Sequence, residues 1–271
     1  MKYDIIIIGS GISGLYAAYN IKKMSPDKSF LILEKYKKQW IGGRTSNELF
    51  YGTEIVTGAG IGRKKKDKLL HKLLDDLGLK TTEFTIKPYY STMFHHLDVK
   101  KVIDHESHFK FSNNVSKITK TDDEPCEFVI DTEEGKKYTC NKVIVATTIT
   151  GIRKLLPNPI YNDIEGQPFL RLYGKFAKSS IPIMKEYVKG YTCLPGPLQK
   201  IIPINPDAGI YMIAYNDNSN TLALKNNLEN TEENRDLYCE LLEKSLGIPA
   251  DSLHLIAIKD FYWPVGTHYE I

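Results

Sequence analysis

Three glycines, Gly9, Gly11 and Gly14, follow directly on the apolar run Ile5-Ile6-Ile7-Ile8, and one carboxylate, Glu34, closes a second apolar run, Phe30-Leu31-Ile32-Leu33. Glycines at this spacing can seat a pyrophosphate. The first allows a tight turn out of a strand, the second lets phosphate approach the backbone, and the third lets the following helix pack close to the strand. Ser10, Ile12 and Ser13 fill the turn. The amide groups that open such a helix lack intrahelical partners and point at the phosphates. A carboxylate at Glu34 accepts hydrogen bonds from adenosine ribose hydroxyls and repels a 2′-phosphate.

Those residues need a strand, turn, helix and second strand to position them. Ile5 to Ile8 is a continuous β-branched run, the signature of a central parallel strand covered on both faces. The helix is predicted through Leu15, Ala18, Tyr19 and Ile21 to about Met24, with Ser25-Pro26-Asp27 as its stop. Strand, turn, helix, second strand and terminal acid fall in order within about 30 residues, which makes the pattern far more specific than a lone glycine triplet. Further on stand Gly42-Gly43-Arg44-Thr45 and Thr57-Gly58-Ala59-Gly60-Ile61. Two adjacent glycines followed by Arg can bring backbone N–H groups and a guanidinium against a pyrophosphate already held at a helix terminus.

On these motifs the chain resembles the flavin-containing amine oxidoreductases, which include monoamine and polyamine oxidases, L-amino-acid oxidases and related desaturases. The resemblance is carried by Ile8-Gly9-Ser10-Gly11-Ile12-Ser13-Gly14-Leu15, Leu33-Glu34-Lys35 and Gly42-Gly43-Arg44-Thr45, and is specific over residues 1–62. It implies FAD as the cofactor, Arg44 on the pyrophosphate, and Gly58-Ala59-Gly60-Ile61 close to the isoalloxazine ring. It also implies a backbone contact from Val115 to the adenine and a strand over Val143 to Thr147 that returns to the nucleotide sheet. By residue pattern alone Val115 is an ordinary strand residue.

The resemblance thins beyond that point. Leu69, Leu70, Leu73, Leu74 and Leu77 predict an amphipathic helix ended by Gly78, most simply core packing. Tyr89-Tyr90-Ser91-Thr92-Met93-Phe94-His95-His96 reads equally as a pocket lining or a packed strand. The stretch Arg171-Leu172-Tyr173-Gly174-Lys175-Phe176-Ala177-Lys178 lies where the family carries a lysine that hydrogen-bonds a water next to flavin N5. The resemblance therefore implies Lys178, with Lys175 as runner-up, as the lysine assisting dioxygen reduction through its charge. Asn230-Thr231-Glu232-Glu233 has capping-box spacing and opens a helix through Leu237, Leu241 and Leu242 to Gly247. Strands are expected at Ile210 to Tyr215 and Leu253 to Ile258. Phe261-Tyr262-Trp263-Pro264-Val265-Gly266-Thr267-His268-Tyr269 resembles the family's Trp…Gly…Tyr stretch on the substrate side of the flavin. Trp263 and Tyr269 are the aromatic candidates there, set against a local core cluster.

Composition narrows the alternatives. The chain has 271 residues, 42% hydrophobic and 25% charged, and a formal charge of +3 from 31 Lys and 5 Arg against 33 acidic residues. The densest basic run, Arg63 to Lys66, lacks interleaved aromatics and argues for no nucleic-acid partner. Cys126, Cys140, Cys193 and Cys239 have neither CxxC nor zinc-like spacing. His95-His96 and His105-Glu106-Ser107-His108 are the only metal candidates, and no metal is expected. No transmembrane segment and no signal peptide are expected, which points to a cytoplasmic protein.

The expected architecture is α/β, a Rossmann-like FAD-binding domain with a small, partly β substrate-side lobe. Residues 1–62 and 110–155 form the FAD-binding parts, 63–109 a helical or substrate-side insertion, 156–260 the substrate-side lobe, and 261–271 the start of an incomplete flavin-proximal segment. Members of the family continue into a second flavin motif whose helix N-terminus faces the N1–C2=O edge, and this sequence ends at Glu270-Ile271 before one. The expectation is a truncated or naturally short chain, or one whose flavin site a partner chain completes. The leading functional expectation is oxidation of a small-molecule amine by hydride transfer to flavin N5, with dioxygen as acceptor and hydrogen peroxide as product. The alternatives are an FAD-dependent C–C desaturase or isomerase, and a non-catalytic FAD- or nucleotide-binding protein.

Overall fold

A computed structural model describes residues 2–59, 61–63, 65–79, 81–86, 89–94, 106–122, 125 and 127–271. The chain divides into two compact units, one of residues 1–47, 59–165 and 270–271, the other of 48–58 and 166–269.

The first unit is built on a six-stranded sheet. Its strands are β1 (Lys2–Ile8), β2 (Phe30–Leu33), β3 (Phe109–Lys110), β4 (Val115–Lys120), β5 (Phe128–Thr132) and β6 (Lys137–Val145), in the spatial order β3-β2-β1-β6-β5-β4. β1 runs parallel to both β2 and β6, and β3 parallel to β2. β6, β5 and β4 form an antiparallel meander. Alternate residues of a strand point to opposite faces. Ile6 and Ile8 pack with Leu31, Leu33 and Ile130 on one side, while Ile7 packs with Phe30, Ile32, Leu15 and Ala18 on the other. Both faces are covered, so the whole run must be apolar. Each fully buried Ile or Leu contributes about 1.5–3 kcal/mol.

Helix α1 (Ile12–Met24) supplies Leu15 and Ala18 to one face, and Lys22 and Lys23 in its last turn favour the negative end of its dipole. Helix α2 (Lys68–Asp76) buries Leu73 and Leu74, but Leu69 is 65% exposed. The leucine stripe is thus narrower than its spacing predicts, because only the arc facing Ile12 and Leu79 finds partners. The strands Ile61–Arg63, Tyr89–Phe94 and Thr81–Ile86 form a small sheet with Tyr89–Phe94 at its centre. His95, His96 and His105 lie outside the described residues. Helix α3 (Ile149–Leu155) follows β6.

The second unit holds a five-stranded sheet of β7 (Ile164–Phe176), β8 (Thr192–Cys193), β9 (Lys200–Asn205), β10 (Ile210–Asp217) and β11 (Leu255–Glu270), in the order β8-β9-β10-β7-β11. It also contains the helices α4 (Ile181–Tyr187), α5 (Asn218–Leu224) and α6 (Glu232–Leu246). Leu170, Leu172 and Phe176 of β7 share a core with Ile213, Tyr238, Leu242 and Leu255. The N-cap of α6 is Thr231, whose hydroxyl accepts the Asn234 N–H at 3.2 Å, one residue on from the Asn230–Glu233 box expected. β11 is one strand of sixteen residues, continuing the strand expected at Leu253 to Ile258 through the whole Phe261 to Tyr269 stretch. Pro264 is exposed on an edge strand, where its missing N–H costs the ladder nothing.

Among the described residues no helix is long and apolar enough to cross a membrane.

Candidate dinucleotide site

The turn from β1 into α1 is held by close backbone contacts. Gly9 has φ +104°, and a Cβ there would lie 2.6 Å from the Ala146 carbonyl oxygen, with Thr147 also at its back. A Cβ on Gly14 would come within 2.0 Å of the Gly9 oxygen, so only glycine lets α1 sit this near the strand. Gly11 differs. A Cβ on it would meet nothing within 4 Å, so its backbone borders open space. Gly11 is also the N-cap of α1, where it offers no side chain to cap that end, and the first turn holds no acidic residue. Ile12 turns toward Leu74, and Ser13 is exposed.

The second glycine turn lies against the first. The Gly42 N–H donates to the Ser10 carbonyl at 2.8 Å, Gly42 bridges Gly11, and a Cβ on Gly43 would stand 3.6 Å from Gly11 Cα. The Thr45 hydroxyl closes this turn by donating to the Gly42 oxygen at 2.8 Å. Arg44 follows at once, and its carbonyl accepts the Ala59 N–H at 2.7 Å. Burial pulls the Arg44 guanidinium down from its ordinary value, yet an arginine retains its charge.

Glu34 is buried, and its carboxylate ties the glycine turn to the end of β2. One oxygen accepts the Ser10 N–H at 2.8 Å and the Ser10 hydroxyl at 2.7 Å, and the other accepts the Tyr36 N–H at 2.9 Å. A carboxylate offers about four acceptor positions, so one stays available for a hydroxyl. The Lys35 ammonium lies 4.5 Å from the Tyr36 ring centre. The Asn113 N–H donates to the Glu34 carbonyl at 2.9 Å and the Ser112 N–H to the Tyr36 carbonyl at 3.0 Å, which sets Val115, at the start of β4, two residues from this edge. These contacts bring together Gly9, Ser10, Gly11, Gly14, Glu34, Gly42, Gly43, Arg44, Thr45, Ala59 and Thr147 in the first unit. Ile61 begins the short strand of the small sheet, and Gly60 lies outside the described residues.

Gly58 belongs to the second unit, where three consecutive carbonyls are each held by a long side chain. Val56 O accepts the Tyr173 hydroxyl at 2.6 Å, Thr57 O the Trp263 indole N–H at 2.7 Å, and Gly58 O the Arg171 Nε–H at 2.9 Å. Trp263 therefore spends its one donor on the backbone. Arg171 and Tyr173 were not singled out from the sequence. Their signal is the alternation in β7, in which Leu170, Leu172 and Phe176 enter the core while Arg171, Tyr173 and Lys175 take the other face. Lys175 donates to the Ala208 carbonyl and lies 6.0 Å from the Tyr51 ring centre, Lys178 is exposed beyond the end of β7, and Tyr269 is 48% exposed. The buried cation of this strand is Arg171, at 2% exposure.

Among the described residues no group of three or more His, Cys, Asp or Glu is placed to hold a metal ion. His108 stacks on Phe30 with ring centres 4.2 Å apart. Cys140, Cys193 and Cys239 are free thiols, and Cys126 lies outside the described residues.

Parallel strands, a GxGxxG turn, an uncapped helix start and a terminal acid define a Rossmann-like dinucleotide-binding domain. Residues 7–77 accordingly match the family model described as NAD(P)-binding Rossmann-like domain. The fold is also that of putrescine oxidase in its putrescine-bound form, with a TM-score of 0.75 at 12% identity over 100% of this chain and 88% of the other. It is shared too with a candidate protoporphyrinogen oxidase of Exiguobacterium sp. 255-15, with a TM-score of 0.73 at 11% identity over 99% and 88%. The resemblance to the flavin-containing amine oxidoreductases thus holds at the level of the fold. Among curated proteins, an uncharacterized protein of Methanosarcina barkeri is 29% identical over 69% of this chain, and an uncharacterized protein of Acanthamoeba polyphaga mimivirus is 33% identical over 22%. The matched part spans 46% and 11% of those two proteins, about half or less of their length.

Proposed function

We propose that this chain is an FAD-dependent oxidoreductase whose first unit holds the ADP half of the cofactor. The observation that carries this reading is the meeting of two glycine turns at one uncapped helix start, with Glu34 fastened to the same turn. The amides of α1 receive the pyrophosphate oxygens, Arg44 neutralises their charge, and Glu34 accepts a ribose hydroxyl. FAD, when bound, supplies the acceptor of a hydride equivalent.

The finer reading is amine oxidation, in which a C–N carbon loses the hydride, the resulting imine is hydrolysed by water, and dioxygen takes the electrons to give hydrogen peroxide. It is supported by the fold shared with putrescine oxidase and by the motif resemblance. The substrate is then a small amine.

The decisive measurement is the visible absorbance of the purified protein. A stoichiometric flavin band that bleaches anaerobically with an amine, and returns with peroxide formation in air, is expected. Gly11→Asp, which sets a carboxylate against the diphosphate, is expected to abolish flavin content while leaving the fold intact, since the position is open; unchanged flavin content would move the site elsewhere. Replacing Lys178 by Met is expected to leave flavin content unchanged and slow reoxidation by dioxygen. Reoxidation at the parent rate would remove that lysine from the mechanism and leave Lys175→Met to be tried.

A further inference from the structure

A row of side chains crosses the second unit's sheet. Cys193 of β8 pairs with Lys200 of β9, and Tyr215 of β10 pairs with Arg171 of β7. Lys200 Nζ lies 4.5 Å from the centre of the Tyr215 ring, and Arg171 Cζ lies 3.1 Å from the same centre. Phe169, two residues before Arg171, meets Tyr215 edge-on with ring centres 5.9 Å apart and lies 4.7 Å from the guanidinium.

Two cations therefore share one phenol ring. Among the described residues neither has a carboxylate partner. The acid nearest in effect, Asp217, acts on Tyr215 more weakly than Arg171 or Lys200. Burial pushes the Tyr215 phenol up, but the charge and hydrogen bond of Arg171 together with the charge of Lys200 outweigh it and bring the phenol below its ordinary value.

Arg171 is also incompletely satisfied. Its Nε donates to Gly58 O, whereas its Nη1 is buried and has no hydrogen-bond partner among the described residues. The aromatic faces offset part of the cost of burying a guanidinium. They do not satisfy its remaining donor, and a buried unsatisfied donor on a charged group is costly enough to call for a missing partner.

We infer that this face binds the carboxylate group of a small organic acid, held by Arg171 and Lys200 beside the Tyr215 and Phe169 rings. A carboxylate matches the planar fork of a guanidinium and brings one negative charge to a site of two cations, and the rings suit an apolar or aromatic body attached to it. The site lies wholly within the second unit and does not depend on flavin binding by the first.

Isothermal titration calorimetry of the 271-residue chain with phenylacetate and with its neutral isostere phenylacetamide tests this. Phenylacetate is expected to bind at least tenfold more tightly than the amide. Lys200→Gln is expected to weaken phenylacetate at least tenfold without changing the melting curve, and Arg171→Lys, which keeps the charge and loses the fork, to weaken it as well. Equal affinity for acid and amide, no binding of either, or undiminished phenylacetate binding by Lys200→Gln overturns the inference. Should the buried Arg171 variant fail to fold, the Lys200 result decides. Because the readout needs no flavin, failure here leaves the reading of the first unit standing, and loss of flavin there leaves this one standing.

Discussion

The three glycines of the first turn carry different burdens, and substitution separates them. A methyl group on Gly14 would sit 2.0 Å from a backbone oxygen that cannot swing aside, so Gly14→Ala must move α1 off the strand. Overpacking of this kind costs about 1–3 kcal/mol or more, so the urea midpoint should fall markedly, with flavin lost as a consequence. An unchanged midpoint would mean that α1 does not pack on β1 as described. Gly11 has no such neighbour, so the Gly11→Asp variant should lose cofactor while keeping the midpoint of the flavin-free parent. Glu34, the carboxylate read from the sequence as a ribose acceptor, binds the amide and hydroxyl of Ser10. The ribose role follows from position at the end of a strand, but the tie to Ser10 needs two segments brought together and is invisible in the order of residues.

At the scale of elements, β1 is fastened near its start to the entry of β2 by Asp4, which accepts the Ser29 N–H at 2.9 Å, the Ser29 hydroxyl at 2.8 Å and the Lys28 ammonium at 3.1 Å. The Ser29 hydrogen bonds, with Lys28 adding to them, lower the Asp4 carboxyl from its ordinary 3.8 to about 2. A lowered folded-state value means that this carboxylate supports the fold fully above the ordinary value and ceases to as the pH falls from about 4 through 2. Asp4→Asn should therefore flatten the loss of stability across that interval in urea titrations and leave the slope above pH 5 unaltered. An acid limb identical to that of the parent would show that the tie contributes nothing. Most elements were legible in the sequence because their local signals are strong, as in the continuous apolar run Ile5 to Ile8 and the glycine turn that leads into α1. The sixteen-residue length of β11 was not legible, since a proline is tolerated within a strand only at a sheet edge, and the tertiary structure alone puts Pro264 on one.

For the molecule as a whole, cofactor binding and folding are linked. A ligand bound only by the folded chain stabilises it by about 2.7 kcal/mol at one hundred times its Kd. FAD is expected to raise the Tm accordingly. NADP is expected to leave it unmoved, because Glu34 opposes a 2′-phosphate. A Tm indifferent to FAD across a saturating range would remove the proposed cofactor.

The nucleotide end was readable from the residues alone because its chemistry is local: a turn, a helix start and a strand end lie within one short stretch, and backbone geometry joins them without help from distant segments. The pairing of the Gly42-Gly43 turn with Gly11, the capture of the Val56, Thr57 and Gly58 carbonyls by Tyr173, Trp263 and Arg171, and the gathering of Arg171 and Lys200 over Tyr215 belong to the tertiary structure. Each joins residues dozens of positions apart, or the strands of a sheet whose register no linear pattern specifies. A buried arginine and an exposed lysine look alike in a sequence until the sheet decides which face each one takes.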